Sequence, residues 1–207
     1  MGLDLLPIFV RQSYEVHEWK HACAILRHDF PDQWNDLCAL LIQFRLQKSW
    51  ITVGGGSKSK VSESIDSFLY ARGWVEKQFD TQIMVDGIPA QSPTHKIDCF
   101  KNRVAVEIEW NNKDPFFDRD LNNFRLLFDL RAVSVGVIIT RSDALQEIFV
   151  ELRRGSSYGA STTHMASCCR ASTVEAAVAA QFSFWELRNN FTCWNNNAHT
   201  HTSANCG

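Results

Sequence analysis

A strand, a helix and a second, buried strand in the middle of the chain constrain its fold most strongly. Residues 133–140 form a nearly continuous β-branched and apolar run, which is typical of a strand covered on both faces. Before it, Leu121, Phe124 and Leu127 recur at helical spacing and mark an amphipathic helix. Residues 104–110 are a further strand candidate. This order of elements predicts a βαβ unit.

Further helices are expected to flank this unit. In the first fifty residues, apolar side chains recur every three to four positions in two runs with Pro31 between them, which predicts two helices. Ser57 or Ser59 is expected to cap a helix that carries Glu63. A helix capped by Ser142 follows the buried strand. Together these elements predict an α/β fold with a mixed central sheet flanked by helices.

Two hairpins are predicted before the helix of the βαβ unit. Residues 79–85 alternate polar and apolar, and Asp86-Gly87 behind them is a strong turn signal. Residues 96–100 and 104–110 are short strand candidates, and the polar linker between them has hairpin length. The sheet is therefore expected to contain antiparallel as well as parallel strand pairs.

Three carboxylates are expected to meet on the second hairpin. Asp98 and Glu107 are nine positions apart, and a hairpin that turns at residues 101–103 places them nearly opposite each other. Glu109 projects with Glu107, because strand side chains alternate between faces. Such a cluster repels itself unless a cation occupies it, and its hard oxygen ligands suit Mg²⁺. The sequence thus predicts metal-assisted phosphodiester hydrolysis.

The alternating acids also have a simpler interpretation. Acids on one face of a strand most often form a solvated face, and spacing alone favours that interpretation. Two features favour the metal site instead. The βαβ unit places this strand in a sheet covered by helices, and the loop at residues 110–115 holds polar groups suited to a phosphate or a base edge.

The net charge offers no global sign of nucleic-acid binding. It is −2, whereas DNA-binding domains are usually basic. Because nucleases must cluster carboxylates at their metal site, short basic segments are the candidates for a DNA footprint. These segments are Lys58 with Lys60, and Arg153 with Arg154.

The remaining composition excludes several classes of protein. Seven cysteines without a Cys-x-x-Cys pair describe neither a disulfide framework nor a zinc site. The first residues lack the pattern of a secretory signal, and the chain contains no run of about eighteen apolar residues of the kind a membrane span needs. We therefore expect a cytoplasmic protein with no membrane partner.

Residues 94–117 contain Asp98, Glu107 and Glu109 in the spacing Asp-x8-Glu-x-Glu, within Arg-Val-Ala-Val-Glu-Ile-Glu. This segment resembles the active site of the BglII/BstYI family of Type II restriction endonucleases, and the likeness extends to about Met165. The resemblance implies a restriction-endonuclease-like catalytic domain over residues 1–165, of the PD-(D/E)xK nuclease superfamily. It also implies a homodimer that cuts both strands of a short palindromic DNA site with Mg²⁺, and a cognate DNA methyltransferase encoded alongside.

The resemblance makes Asp98 and Glu107 metal ligands by position. Glu109 stands where the wider superfamily has lysine, where some close relatives have glutamine and where the BamHI branch has glutamate. It would act as a base on the attacking water or would only orient that water. Glu63 is an accessory acidic candidate, because a helix packs beside the site in such folds. The competing interpretation of Glu63 is an ordinary surface glutamate.

Two segments are candidates for contacting DNA. The first follows the catalytic strand and consists of Asn111, Asn112 and Lys113, of which Lys113 would donate to a phosphate or to guanine. The second lies in residues 156–164, which offer small hydroxyls and a glycine where a backbone must approach a groove. Its candidates are Ser156, Ser157, Tyr158, Ser161 and Thr162. An ordinary flexible loop is the competing interpretation.

Residues 166–207 differ in character from the rest of the chain. Small residues give way to an end rich in Asn, Thr, His and Ser, without the strand pattern that should close the sheet. We expect an atypical low-complexity, disordered tail and hypothesise a frameshift near Met165, which resequencing the gene would test. Loss of a strand would put activity in doubt. Two alternatives therefore stay open: a catalytically dead DNA-binding remnant, and a repair or recombination nuclease on the same scaffold.

Overall fold

Seven α-helices and eight β-strands make up the described part of the chain. The computed structural model describes residues 2–52, 58–112, 116–159, 162–166, 168 and 181–185. The helices are α1 (Ile8–Ser13), α2 (Ala22–Asp29), α3 (Pro31–Gln43), α4 (Lys48–Thr52), α5 (Lys60–Tyr70), α6 (Phe116–Asp129) and α7 (Leu145–Glu151). The strands are β1 (Glu15–Glu18), β2 (Val75–Lys77), β3 (Gln82–Val85), β4 (Ile88–Gln91), β5 (Ile97–Lys101), β6 (Val104–Glu109), β7 (Val135–Thr140) and β8 (Gln181–Trp185). No helix in these ranges is long and apolar enough to cross a membrane.

The central sheet has six strands in the order β1-β8-β7-β6-β5-β2. Strand β6 pairs in parallel with β7, and β7 in parallel with β8. The pairs β5–β6, β2–β5 and β1–β8 are antiparallel. The expected mixed sheet flanked by helices is therefore confirmed.

Two apolar clusters cover the two faces of this sheet. The first cluster joins the N-terminal helices and α5 to the sheet and includes Val106 and Ile108. The second cluster packs α6 on the opposite face through Phe124, Ala105 and Ile138. Helix α6 thus forms the crossover of the predicted βαβ unit, which places β6 between two layers of helices.

Both predicted hairpins are present, but their surroundings differ. Strands β3 and β4 form a separate two-stranded sheet that turns at Asp86 and Gly87, with φ values of 50° and 82°. Every residue of these two strands is exposed. Strand β3 begins at Gln82, three residues after the alternation in the sequence begins. Strands β5 and β6, in contrast, lie inside the central sheet.

The structure corrects the sequence-based prediction at one edge of the sheet, where β1 and β8 lie side by side. Strand β1 was not predicted, because four residues reading Glu-Val-His-Glu are too short to show a period. The tail was expected to lack a closing strand, yet β8 lies between β7 and β1. Its Gln-Phe-Ser-Phe-Trp does alternate, but the low-complexity residues around it obscure the pattern. The rest of the tail beyond residue 168 lies outside the described residues.

Candidate active site

The hairpin of β5 and β6 brings Asp98 beside Glu107. Its two-residue turn consists of Asn102 and Arg103, whose φ values of 46° and 66° suit the twist of the strands. The backbone N–H of Asp98 donates to Oε2 of Glu107 at 3.3 Å. The N–H of Ile108 donates to Oδ2 of Asp98 at 2.9 Å. The structure therefore places these two predicted carboxylates together.

Glu107 is a buried carboxylate surrounded by other acids. Its side chain lies on the α6 side of the sheet, and only 1% of the residue is exposed. Burial raises the pKa of Glu107 well above its usual range, and the charges of Asp120 and Asp98 raise it further. Its Oε1 has no hydrogen-bond partner among the described residues. A buried oxygen of this kind is costly unless a cation or a proton satisfies it.

Asp98 belongs to a wider group of acids than the hairpin alone supplies. Burial raises the pKa of Asp98 to about 6, against the opposing effect of the hydrogen bond from Ile108. The charges of Asp66 and Glu109 raise this pKa further, and that of Lys58 lowers it. Asp98 therefore responds to charges from α5 as well as from β6.

Both side-chain oxygens of Glu109 already accept hydrogen bonds. Nδ2 of Asn112 donates to Oε2 at 2.7 Å, and a guanidinium nitrogen of Arg119 donates to Oε1 at 3.4 Å. The backbone oxygen of Glu109 accepts from the hydroxyls of Thr140 and Thr163 at 2.9 and 3.1 Å. Glu109 is thus held in place from three sides, which suits a group that orients its neighbours.

Asp120 is a buried acid that the sequence analysis missed. It lies on α6 with no exposed surface, and Arg119 donates two hydrogen bonds to its Oδ1. Burial raises the pKa of Asp120, and so does the nearby charge of Glu109. A signal was available in the sequence, because Asp120 falls on the apolar stripe that contains Leu121 and Phe124.

Helix α5 contributes an acid to the site, but not the predicted one. Glu63 points away, with 54% of its side chain exposed, and pairs with Lys60 at 2.6 Å. Asp66, almost one turn further on, is 3% exposed and pairs with Lys58. The thiol of Cys99 also donates to Asp66, at 3.5 Å. The accessory role of Glu63 stays a prediction, and the acid that α5 directs towards the cavity is Asp66, because the helix phase turns position 66 inward.

A cavity of about 300 Å³ opens over these carboxylates. The charged side chains that line it are four acids and two bases, namely Asp66, Asp98, Glu107, Glu109, Lys58 and Arg119. His95 also lines the cavity; burial lowers its pKa, and the charge of Arg119 lowers it further. Acids therefore outnumber the permanent cations in the cavity.

The donor set of the cavity fits a divalent cation. Within the described ranges, no three His, Cys, Asp or Glu side chains are arranged to hold a metal ion as they stand. However, carboxylate oxygens are the hard donors that such ions take, and Oε1 of Glu107 is buried without a partner among the described residues. A cation beside Glu107 and Asp98 would satisfy this oxygen, offset the effect of burial that raises both pKa values, and relieve the repulsion that raises them further.

The segment after β6 is tied to the site. Asn111 adopts a positive φ of 59°, which turns the chain out of the strand. Asn112 bonds Glu109 through its amide, and its backbone N–H donates to the hydroxyl of Thr163 at 3.0 Å. The amide of Asn112 is therefore engaged inside the protein. Lys113, also predicted to contact DNA, lies outside the described residues.

The predicted second DNA segment is divided between surface and core. Ser156 and Ser157 are exposed on a short 3-10 helix. Tyr158, at the end of that helix, is buried, and its ring stacks on Phe149 at 4.2 Å between centroids. The ring of Tyr158 thus fills the core, and its contact with DNA stays a prediction from the sequence. Ser161 lies outside the described residues.

Arg141 holds this segment in place, a role that the sequence analysis missed. The arginine is 2% exposed, and its Nη2 donates to the carbonyls of Tyr158 and Gly159, both at 3.1 Å. It also donates to the hydroxyl of Thr162 at 3.0 Å, and that hydroxyl donates to the Gly159 carbonyl. The Thr162 hydroxyl, predicted to contact DNA, is thus used internally.

The family described as restriction endonuclease BglII/BglIII matches residues 14–171, which is more than half of the chain. The chain belongs to this family. Its members are DNA endonucleases, and the family implies binding of double-stranded DNA and generally a divalent metal. No curated protein matches the chain. The family match ends six residues beyond Met165, whereas the division of the chain at residue 165 remains a prediction.

Proposed function

We propose that this chain is a Type II restriction endonuclease, which hydrolyses phosphodiester bonds in a short palindromic site of double-stranded DNA and depends on Mg²⁺. The observation that carries the proposal is the pairing of half-buried Asp98 with buried Glu107, in which one oxygen of Glu107 has no hydrogen-bond partner among the described residues. The family match supports the DNA endonuclease class, and the cavity chemistry supports the metal.

Asp98 and Glu107 would hold the ion through their carboxylate oxygens. Asp66 is close enough to Asp98 for its charge to raise the pKa of Asp98, so the charge of Asp66 would also attract a cation bound there. When bound, Mg²⁺ supplies charge that polarises the scissile phosphate and acidifies water at the site. The orientation of the reacting groups would depend on side chains that the fold holds in fixed positions.

Glu109 would act by orientation. Because Asn112 and Arg119 occupy both of its oxygens, Glu109 fixes these two donors at the rim of the cavity. The reaction consumes one water, whose oxygen forms a bond to phosphorus while the bond to one deoxyribose oxygen breaks. One proton of the water ends on the leaving oxygen, and the other goes to solvent through the new phosphate monoester. The engagement of both Glu109 oxygens favours an orienting role over a general-base role for this residue.

The DNA contacts and the assembly follow the two-fold symmetry of a palindromic site. A homodimer places one cavity at each strand, because a two-fold protein matches a two-fold duplex. Asn111, Ser156 and Ser157 are the proposed DNA contacts among the described residues. Lys113 and Ser161 stay predictions from the sequence. A DNA methyltransferase that protects the host site is the proposed genetic partner.

Cleavage of unmethylated plasmid in Mg²⁺, beside a Glu107→Ala control, tests this function. Discrete fragments from the wild-type chain that the control does not produce would support a site-specific nuclease. A branched junction substrate in parallel separates the alternatives. Cleavage of the junction alone would replace the proposal with a repair or recombination nuclease, and DNA binding without any cleavage would indicate a catalytically dead remnant.

A further inference from the structure

Lys58 lies at the α5 side of the cavity, directly before the capped start of that helix. Its ammonium pairs with Asp66, and 55% of its side chain is exposed to solvent, while the Asp66 side chain is 4% exposed. Ser59 caps the helix by accepting a hydrogen bond from the N–H of Ser62 at 3.0 Å. Both serines line the same cavity, so the positive end of the α5 dipole adds to the charge of Lys58.

The two permanent cations of the cavity form ion pairs with different acids. Arg119 bonds Glu109 and Asp120. Lys58 pairs with Asp66, and its charge also acts on Asp98. An anionic substrate that approaches Asp98 therefore meets the charge of Lys58, whose described ion pair is with Asp66.

The pairing of Lys58 leaves it able to change partners. More than half of the Lys58 side chain is exposed, so water can solvate its ammonium while it moves between partners. Asp66 keeps the thiol of Cys99 as a second hydrogen-bond donor when the lysine moves. The long, flexible side chain of lysine lets the ammonium turn from Asp66 to a phosphate oxygen without movement of the backbone.

We propose that Lys58 contacts the scissile phosphodiester and neutralises the charge that grows on its non-bridging oxygens, with Asp66 holding the ammonium in position before DNA enters. This inference rests on the proposed function and adds a substrate-contacting residue to it. Fixed charges aimed at developing charge typically change the rate by about 100-fold to 1,000-fold. The matched control is Lys77, which is exposed on β2, lies outside the cavity lining and places its ammonium 5.2 Å from the centroid of the Phe79 ring.

The test compares Lys58→Met, Lys58→Arg and Lys77→Met with the wild-type chain. We would measure single-turnover cleavage over a range of Mg²⁺ concentrations that extends past saturation of the wild-type chain, DNA affinity in Ca²⁺, and thermal unfolding. Lys58→Met should slow cleavage by about 100-fold and weaken DNA binding by less than about tenfold. Lys58→Arg should recover the rate to within about tenfold of wild type. Lys77→Met should match the wild-type rate. Lys58→Gln, which retains a donor for Asp66, should be as slow as Lys58→Met and replaces it if the methionine variant unfolds.

Several outcomes would overturn the inference. They are a wild-type rate for Lys58→Met, an equal loss in Lys77→Met, and no recovery in Lys58→Arg. Recovery of Lys58→Met at a higher Mg²⁺ concentration would also overturn it, because the lysine would then only tune metal binding. If the wild-type chain cuts and Lys58→Met cuts equally well, this inference alone fails. If the wild-type chain cuts no DNA, the proposed function fails and the inference falls with it.

Discussion

The two hairpins of this protein have the same kind of turn but lie in opposite surroundings. Both turn through two residues with positive φ, at Asp86-Gly87 and at Asn102-Arg103. The strands of the first hairpin are exposed throughout, whereas β6 in the second is buried at every residue. Turn chemistry is a property of a few adjacent residues, but burial depends on neighbours that are distant in sequence.

Charged side chains repel each other more strongly on the buried hairpin than they would on the exposed hairpin. Glu107 and Glu109 are 1% and 2% exposed, so water does not screen their mutual repulsion. The exposed hairpin instead displays apolar side chains, with Ile88 70% and Met84 67% exposed. Substitutions in the buried hairpin should therefore change activity and stability strongly, and matched substitutions in the exposed hairpin should change them little.

The largest expected effect is on cleavage. Asp98→Ala or Glu107→Ala should lower the cleavage rate by at least about 1,000-fold, because each removes a proposed metal ligand. DNA affinity should be kept or improved, since a carboxylate that repels phosphate is lost. Plasmid cleavage and DNA titration measure the two quantities. Gln91→Ala, in the exposed hairpin, is the control, and a loss of binding with cleavage intact in the Asp98 or Glu107 variant would contradict the assignment.

The next effect is on stability. Gly136 of β7 lies opposite Ala105 of the buried hairpin, and a Cβ added there would collide with the ring of Phe124. Gly136→Ala should cost about 1–3 kcal/mol of unfolding free energy. Gly87→Ala has open space and only an unfavourable φ of 82°, so it should cost about 1 kcal/mol. Urea denaturation compares the two, and equal losses would show that the buried strand repacks freely.

A third substitution should act with the opposite sign. In metal-free protein, Glu107→Gln should raise the unfolding free energy by about 1 kcal/mol, because burial and neighbouring acids already disfavour the ionised form. The same variant should not cleave DNA. Asp86→Asn in the exposed turn should change stability by less than about 0.5 kcal/mol. Thermal unfolding with a chelator present measures both, and destabilisation by Glu107→Gln would show that the carboxylate is well paired without metal.

The smallest effect is expected on the exposed strands. Ile88→Thr and Met84→Ser should each change the unfolding free energy by less than about 0.5 kcal/mol. They should improve solubility, because they reduce an exposed apolar surface. Denaturation and light scattering test this. A loss of more than about 1 kcal/mol would mean that the exposed hairpin packs against another part of the protein in solution.

The local structure of this protein, namely its hairpins and the helix between β6 and β7, was predictable from the order of its residues. Alternation and turn signals predicted both hairpins, and helical spacing predicted α6 between β6 and β7. The placement of Asp98 opposite Glu107 followed from strand spacing alone. These features are predictable because each depends on side chains within one element or on a short turn between two elements.

Which elements meet at the site depends on tertiary packing and could not be predicted from the sequence. Asp66 rather than Glu63, the buried Asp120, and Lys58 beside Asp66 all depend on how α5 and α6 dock on the sheet. The core position of Tyr158 depends on docking in the same way. Strand β8 required pairing with two strands distant in sequence. Periodicity fixes which side of an element is apolar, but not its partner, because the partner is selected by packing over the whole chain.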